Sequence, residues 1–298
     1  MLGPFTHPSV PIGVAALAVA YIVAVRVSGN RVTTGQIAAF AGALAALLLT
    51  LTGPLDELED ARLFTAHMTQ HLVLTLIVPP LLLLGTPGWM LRPFIKPAPL
   101  ARLARIVTHP IVAFALYNAL LIGIHNPPVF ELMCRDENFH IAVHVLLIAT
   151  GVITWWPLLS PLPELPRLSY PGQMIYLFLQ LIPMAAVAAP ITLADSVIYP
   201  YYATSGPHPL GMSPLSDQIL GGLFMWVGAG FYMTAVFTLI FYRWAMRDDR
   251  DSPMVSDESQ GPSGSGSQSR HAAVRKFNRP RLWGSSRQLP QSFFVARS

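Results

Sequence analysis

The residues best suited to chemistry in this chain are histidines at helical spacing. His67-Met68-Thr69-Gln70-His71 and His140-Ile141-Ala142-Val143-His144 each set two imidazoles four positions apart. On an α-helix that step leaves the two side chains about 40° and about 6 Å apart, so both rings share one face and a single metal ion can reach both. His125 stands just before Asn126-Pro127-Pro128, where proline ends a helix. Neutral imidazole ligates Zn, Cu, Fe and Ni, and among these thioether sulfur suits Cu(I) best. Met68 adjoins the first pair, while Met184, Met212 and Met225 lie further along. Asp195 and Asp217 offer carboxylates, although Asp217, just ahead of an apolar run, also suits the N-cap of that helix. With Cys134 as the single cysteine there is no intramolecular disulfide and no Cys-rich metal motif, so any metal is held by His, Met or carboxylate. An inert thiol is the default for Cys134.

Positioning these side chains requires helices dissolved in lipid. The chain has 298 residues, 53% hydrophobic and 11% charged, against about 25% charged in soluble domains. Seven charge-poor apolar runs are long enough, or nearly so, to cross a bilayer core: Val10–Val25, Gln36–Thr52, Leu63–Leu84, Pro110–Ile124, Phe139–Trp156, Gln173–Leu193 and Ile219–Phe241. The expected fold is an all-α transmembrane bundle of about seven helices. No basic residue precedes the first run and Arg26 and Arg31 follow it, so it lacks the basic start of a signal peptide and is expected to be retained with its N-terminus outside.

Basic residues orient the bundle. With the N-terminus outside, Arg26, Arg31, Arg92, Lys96, Arg102, Arg105, Arg167, Arg243, Arg247 and Arg250 fall inside, and only Arg62 and Arg135 fall in outer loops. The C-terminus is then cytoplasmic. Under this topology His67, His71, His125, His140 and His144 all lie within the first or last turns at the outer face, on three different helices. Hydrogen bonding between helices is the bland use of such rings. Ionisable groups inside membrane segments nonetheless point to function. His109 lies at the inner face, and His7, His208 and His271 lie in loops or ends.

The remaining segments carry less. Thr86–His109 mixes Trp89, Leu91, Phe94, Leu100, Leu103 and Ile106 with four basic residues, as an interfacial amphipathic segment does. Residues 1–250 hold 12 basic and 12 acidic side chains, so the net charge of +4 comes from the 7 basic and 3 acidic residues after Arg250. The hydrophobic body therefore has no basic surface for nucleic acid. The domain division expected is 1–250 as the membrane domain and 251–298 as a disordered basic tail, dispensable for the core activity. No P-loop, GxSxG, HExxH or Rossmann glycine pattern is present, which excludes ATP-driven transport within the chain.

The run His67-Met68-Thr69-Gln70-His71-Leu72 with Pro79-Pro80-Leu81-Leu82-Leu83-Leu84-Gly85, then His125-Asn126-Pro127, His140-x-x-x-His144, and Asp217-Gln218-x-x-Gly221-Gly222 with Met225-Trp226, resembles the polytopic, Bacillus-type CtaG family of cytochrome c oxidase assembly factors over roughly residues 10–245. The resemblance implies a non-enzymatic protein of the plasma membrane that helps to assemble a haem-copper oxidase, with copper supplied from the outer side. Its implied partners are the oxidase subunits, the bilayer and an outer-side copper donor. Matching positions are His67, Met68, Gln70, His71, His125, Asn126, His140, His144, Asp217 and Met225. The expectation is transient Cu(I) binding by the five histidines, with Met68, Met225 or Asp217 as further ligands. Two rivals stand beside it: a b-type haem oxidoreductase with axial histidines such as His71 and His144, and a copper or proton transporter using the histidines as a relay.

Overall fold

The seven apolar runs all form helices, in a computed structural model that describes residues 9–203 and 211–251. The tail after Asp251, together with His7, His208 and His271, lies outside the described residues. The spans are α1 (Ser9–Ser28), α2 (Thr34–Leu51), α4 (Phe64–Leu72) continuing through a π turn (Val73–Ile77) into α5 (Val78–Gly85), α8 (Pro110–Ile124), α10 (Glu137–Leu159), α11 (Tyr170–Thr192), and α13 (Pro214–Leu223) continuing through a second π turn (Phe224–Gly228) into α14 (Ala229–Asp251). Short helices join them: α3 (Pro54–Asp60), α6 (Gly88–Leu91), α7 (Ala98–Val107), α9 (Pro127–Arg135) and α12 (Pro200–Ala203). Among the described residues there is no strand. Six spans are long and apolar enough to cross a membrane alone. At 15 residues, α8 rises only about 22 Å against a core of about 30 Å. It qualifies only together with α7, from which it bends by 70°.

That bend turns α7 away from the bundle axis. No residue of α7 is buried, and Leu100, Leu103 and Ile106 stay exposed beside Arg102 and Arg105. Such a two-faced helix suits the membrane interface, as the sequence led us to expect.

The third span is one helix by hydropathy, but its two prolines reshape it. Pro79 and Pro80 have no N–H, which frees the carbonyls four residues earlier, those of Thr75 and Leu76. The backbone widens into the π turn, with Val78 N–H reaching Val73 O. Trp155 Nε1 donates to Thr75 O at 2.9 Å and Tyr232 Oη to Leu76 O at 2.6 Å, so both freed acceptors are satisfied by neighbouring helices. The same substitution of partners fixes α10 and α14 against this span.

Close approach of the seventh span depends on Gly221 and Gly222. A Cβ on Gly221 would lie 2.5 Å from the Phe64 ring, and one on Gly222 would lie 2.6 Å from Thr192 Oγ1. Small residues are how membrane helices pack tightly without a hydrophobic drive. Beside this contact lies one correction: Asp217 is not the N-cap of its own helix, a role taken by Ser213. Fully buried, Asp217 instead accepts from Phe64 N at 2.6 Å, Thr65 N at 3.0 Å and Thr65 Oγ1 at 2.6 Å. It thereby caps α4 from another span, accepting from the free N–H groups at the start of the helix that carries His67 and His71.

Candidate metal centre

His67 and His71 emerge one turn apart on the α4 so capped, and the geometry around them begins in the turn before it. There α3 closes in a Schellman motif, with Leu63 N donating to Leu58 O at 3.0 Å and Arg62 N to Glu59 O at 2.7 Å. The left-handed position falls on Arg62, φ 63°, where glycine is usual, at a backbone cost of about 1–2 kcal/mol. Its guanidinium lies 4.5 Å over the Tyr201 ring. This turn swings Glu59 onto the first histidine, where Oε1 lies 3.0 Å from His67 Nδ1.

The five histidines meet. Ring centroids are 4.3 Å apart for His67 and His71, 5.0 Å for His67 and His140, 4.3 Å for His140 and His144, 5.5 Å for His71 and His144, and 6.4 Å for His71 and His125. One ligand atom from each of His67, His71 and His140 can be chosen so that all three lie within 4.8 Å of one another, a grouping that could hold a metal ion. Three helices, α4, α10 and the end of α8, supply the cluster. All five rings lie at one end of the bundle, as their register predicted.

Hydrogen bonds bear on two of the tautomers. With Glu59 ionised and the His67 ring neutral, Nδ1 would be the donor and Nε2 would keep its lone pair for a ligand. His125 Nδ1, 2.7 Å from Leu121 O, must likewise donate and leave Nε2 as the acceptor. Nε2 of both rings, and both nitrogens of His71, are buried without a hydrogen-bond partner. His67, His71 and His125 are 0%, 6% and 8% exposed, and a buried orphaned nitrogen costs on the order of 1–3 kcal/mol. Rings meant only to tie helices together would have used these atoms.

His140 and His144 are half-buried and border a cleft of about 620 Å³ between α1 and α10. Apolar side chains such as Val14, Leu17 and Val145 line one part of it, and Asp56, Glu59 and Glu137 line another. Cys134 faces the same cleft, and burial pushes its thiol up to about 12, so it stays protonated at neutral pH.

Met68 and Met225 line a small cavity of about 20 Å³ with Met184, which His71 and His125 also border. Asp217 caps α4 and is not in the three-histidine group of close ligand atoms. Gln70 is structural in its contacts, donating from Nε2 to Thr50 O at 3.1 Å and Asp56 Oδ1 at 3.3 Å. Asn126 precedes α9 without a side-chain cap, Asp195 is exposed, and exposed His109 precedes α8 at the opposite end of that helix from His125. Glu59 is the residue that sequence spacing missed. Its only signal was an acid eight positions before His67, between the second and third apolar runs, which no helical periodicity connects to the cluster.

Known proteins bear on these residues as follows. A family model described as cytochrome c oxidase caa3 assembly factor matches residues 19–247, a range that holds all five histidines, Met68, Met184, Asp217 and Met225. The chain is similar to an uncharacterized protein of Mycobacterium bovis, 27% identical over 254 residues, covering 76% of this chain and 36% of that one. An uncharacterized protein of Mycobacterium tuberculosis gives the same figures. One of Mycobacterium leprae is 26% identical over 249 residues, 78% of this chain and 37% of that one. The chain thus spans little more than a third of the length of these relatives. No solved structure matches it. With the family model covering the membrane bundle from the first span to the last, the chain belongs to the cytochrome c oxidase caa3 assembly factor (CtaG) family.

Proposed function

We propose that this multi-pass membrane protein takes part in assembling a haem-copper cytochrome c oxidase by holding Cu(I) transiently, as cargo, in the histidine cluster at the outer face of the plasma membrane. It acts as a metallochaperone to the oxidase subunits and not as an enzyme. The observation that carries this is the convergence of buried, unpartnered imidazole nitrogens from α4 and α8, beside His140 of α10. His67, His71 and His140 would hold the ion, with His144 and His125 beside them; neutral nitrogen ligands suit copper. Outward orientation is supported by the ten-to-two distribution of basic residues. The acid-bordered cleft at His140 and His144 offers a donor protein a way to the site.

The rival reading is a b-type haem held by His71 and His144: the cavity reaching His71 holds about 20 Å³, whereas the cleft at His140 and His144 holds about 620 Å³, within the several hundred Å³ that sites for large cofactors occupy. Absorption spectroscopy with metal analysis of the purified protein tests the choice. Near-stoichiometric copper without a Soret band is expected, and a sharp Soret band with bound iron would overturn it.

A further inference from the structure

Three methionines from three spans meet beneath the histidines. Met68 of α4, Met184 of α11 and Met225 of the second π turn are 0%, 4% and 3% exposed and line the cavity that His71 and His125 also border. Buried methionine is ordinarily packing. Here the packing stops short, leaving about 20 Å³, the room of a single water-sized sphere. Into the same place come residues whose ring nitrogens have no hydrogen-bond partner, Nε2 of His125 and both nitrogens of His71. The π turn of residues 224–228 supplies Met225, and such turns within α-helices concentrate at functional sites.

We infer that this cavity is a second, inner metal position selective for a soft monovalent cation, ligated by His125 and the thioethers of Met68, Met184 and Met225 and linked to the outer cluster by His71. The inference rests on the copper function proposed above and adds to it a site of different chemistry. Outer ligands are imidazoles with Glu59 in support, which accept Cu(I) and Zn(II) alike. Inner ligands are neutral and mostly sulfur. Thioether selects Cu(I). Burial in a low-dielectric interior also penalises charge roughly as its square, so a divalent ion bears about four times the desolvation cost of a monovalent one. The neutral His71 ring carries one lone pair, on either nitrogen, so it serves the outer or the inner position in turn and connects them. The two positions together sort metals: the cleft and outer histidines collect, and the inner ligands retain only the soft ion.

Full-length protein in nanodiscs, titrated with Cu(I) against a chromogenic chelator and separately with Zn(II), tests this. The Cu(I)-loaded form should show sulfur as well as nitrogen scatterers by X-ray absorption, and the Zn(II)-loaded form should show no sulfur. In Met184→Leu/Met225→Leu, a volume-conserving change, sulfur scattering should fall and Cu(I) affinity should drop at least about tenfold, no less than losing an outer ligand-supporting group costs. Zn(II) affinity should be unchanged, and that retention shows the variant is folded. Nitrogen-only Cu(I) ligation in the wild type, or unchanged Cu(I) affinity in the variant, would overturn the inner position while leaving the outer site intact. Absence of Cu(I) binding altogether, or binding indifferent to His67→Ala, would instead remove the proposed function itself.

Discussion

Two buried polar regions of this bundle use their atoms in opposite ways. In the bundle interior, Asn118 Nδ2 donates to Gln180 Oε1 at 2.8 Å, Gln180 Nε2 to Thr154 Oγ1 at 2.6 Å, and Thr154 Oγ1 lies 2.8 Å from Tyr176 Oη. These groups join α8, α10 and α11, and only Asn118 Oδ1 among them is buried without a partner. The histidine end has buried side chains at similar exposure, yet leaves four imidazole nitrogens of His67, His71 and His125 unpartnered. One region spends its polarity on holding helices together. The other leaves ring nitrogens over, with Glu59 and the Leu121 carbonyl occupying only Nδ1 of His67 and Nδ1 of His125. Polar burial in a membrane bundle therefore marks a site by the atoms left over and not by their number.

Mutation can break this contrast. The largest effect is expected at the cluster: His67→Ala and His140→Ala should each lower copper retention by more than about 100-fold, beyond what loss of an outer hydrogen-bond partner costs, at unchanged protein level. Their double variant should be little worse than either single one, because ligands of one ion act as a unit. Copper per protein and oxidase activity in cells measure both. Losses of protein level that add across the two positions would make the histidines merely structural.

A smaller effect is expected one shell out. Glu59→Ala removes the acceptor at His67 Nδ1 and should weaken copper binding by roughly 10–100-fold, measured by chelator competition. An unchanged affinity would mean that the ring holds its tautomer without the carboxylate.

The bundle interior should give the reverse pattern. Gln180→Leu strands the Asn118 and Thr154 partners and should cost about 1–2 kcal/mol of stability, seen as a lower thermal midpoint in detergent. Copper per folded protein should not change. If it falls as it does for His67→Ala, the two regions are one functional unit and the contrast fails.

The least effect is expected away from both regions. His109→Ala, and a stop codon after Asp251 just beyond the family match, should leave metal content and oxidase maturation at wild-type levels. A truncated chain that inserts normally and leaves the oxidase inactive would give the tail a role.

Much of the architecture was legible because lipid imposes a simple rule. A span must be apolar for most of its length, so the seven runs appear in composition alone; the first six helices coincide with them to within a few residues, and the seventh extends beyond its run to Pro214 and Asp251. Helical periodicity then put His67 with His71 and His140 with His144, and the proline pair at 127–128 put His125 at a helix end. None of this needed contacts between distant parts of the chain.

What the sequence by itself determined, then, was the set of helices and which end of the bundle each histidine occupies, since both follow from local rise and rotation along a helix. Only the tertiary structure decided what each polar group touches. Asp217 suits its own helix end by spacing, yet caps α4 some 150 positions earlier, because Gly221 and Gly222 let the two spans close on each other. Met184 carries no local signal at all, and meets Met68 and Met225 only once three helices pack. Glu59 reaches His67 through a left-handed turn at Arg62, where the usual glycine signal is absent. In each case the deciding partner lies on another element, where no period along the chain can point to it.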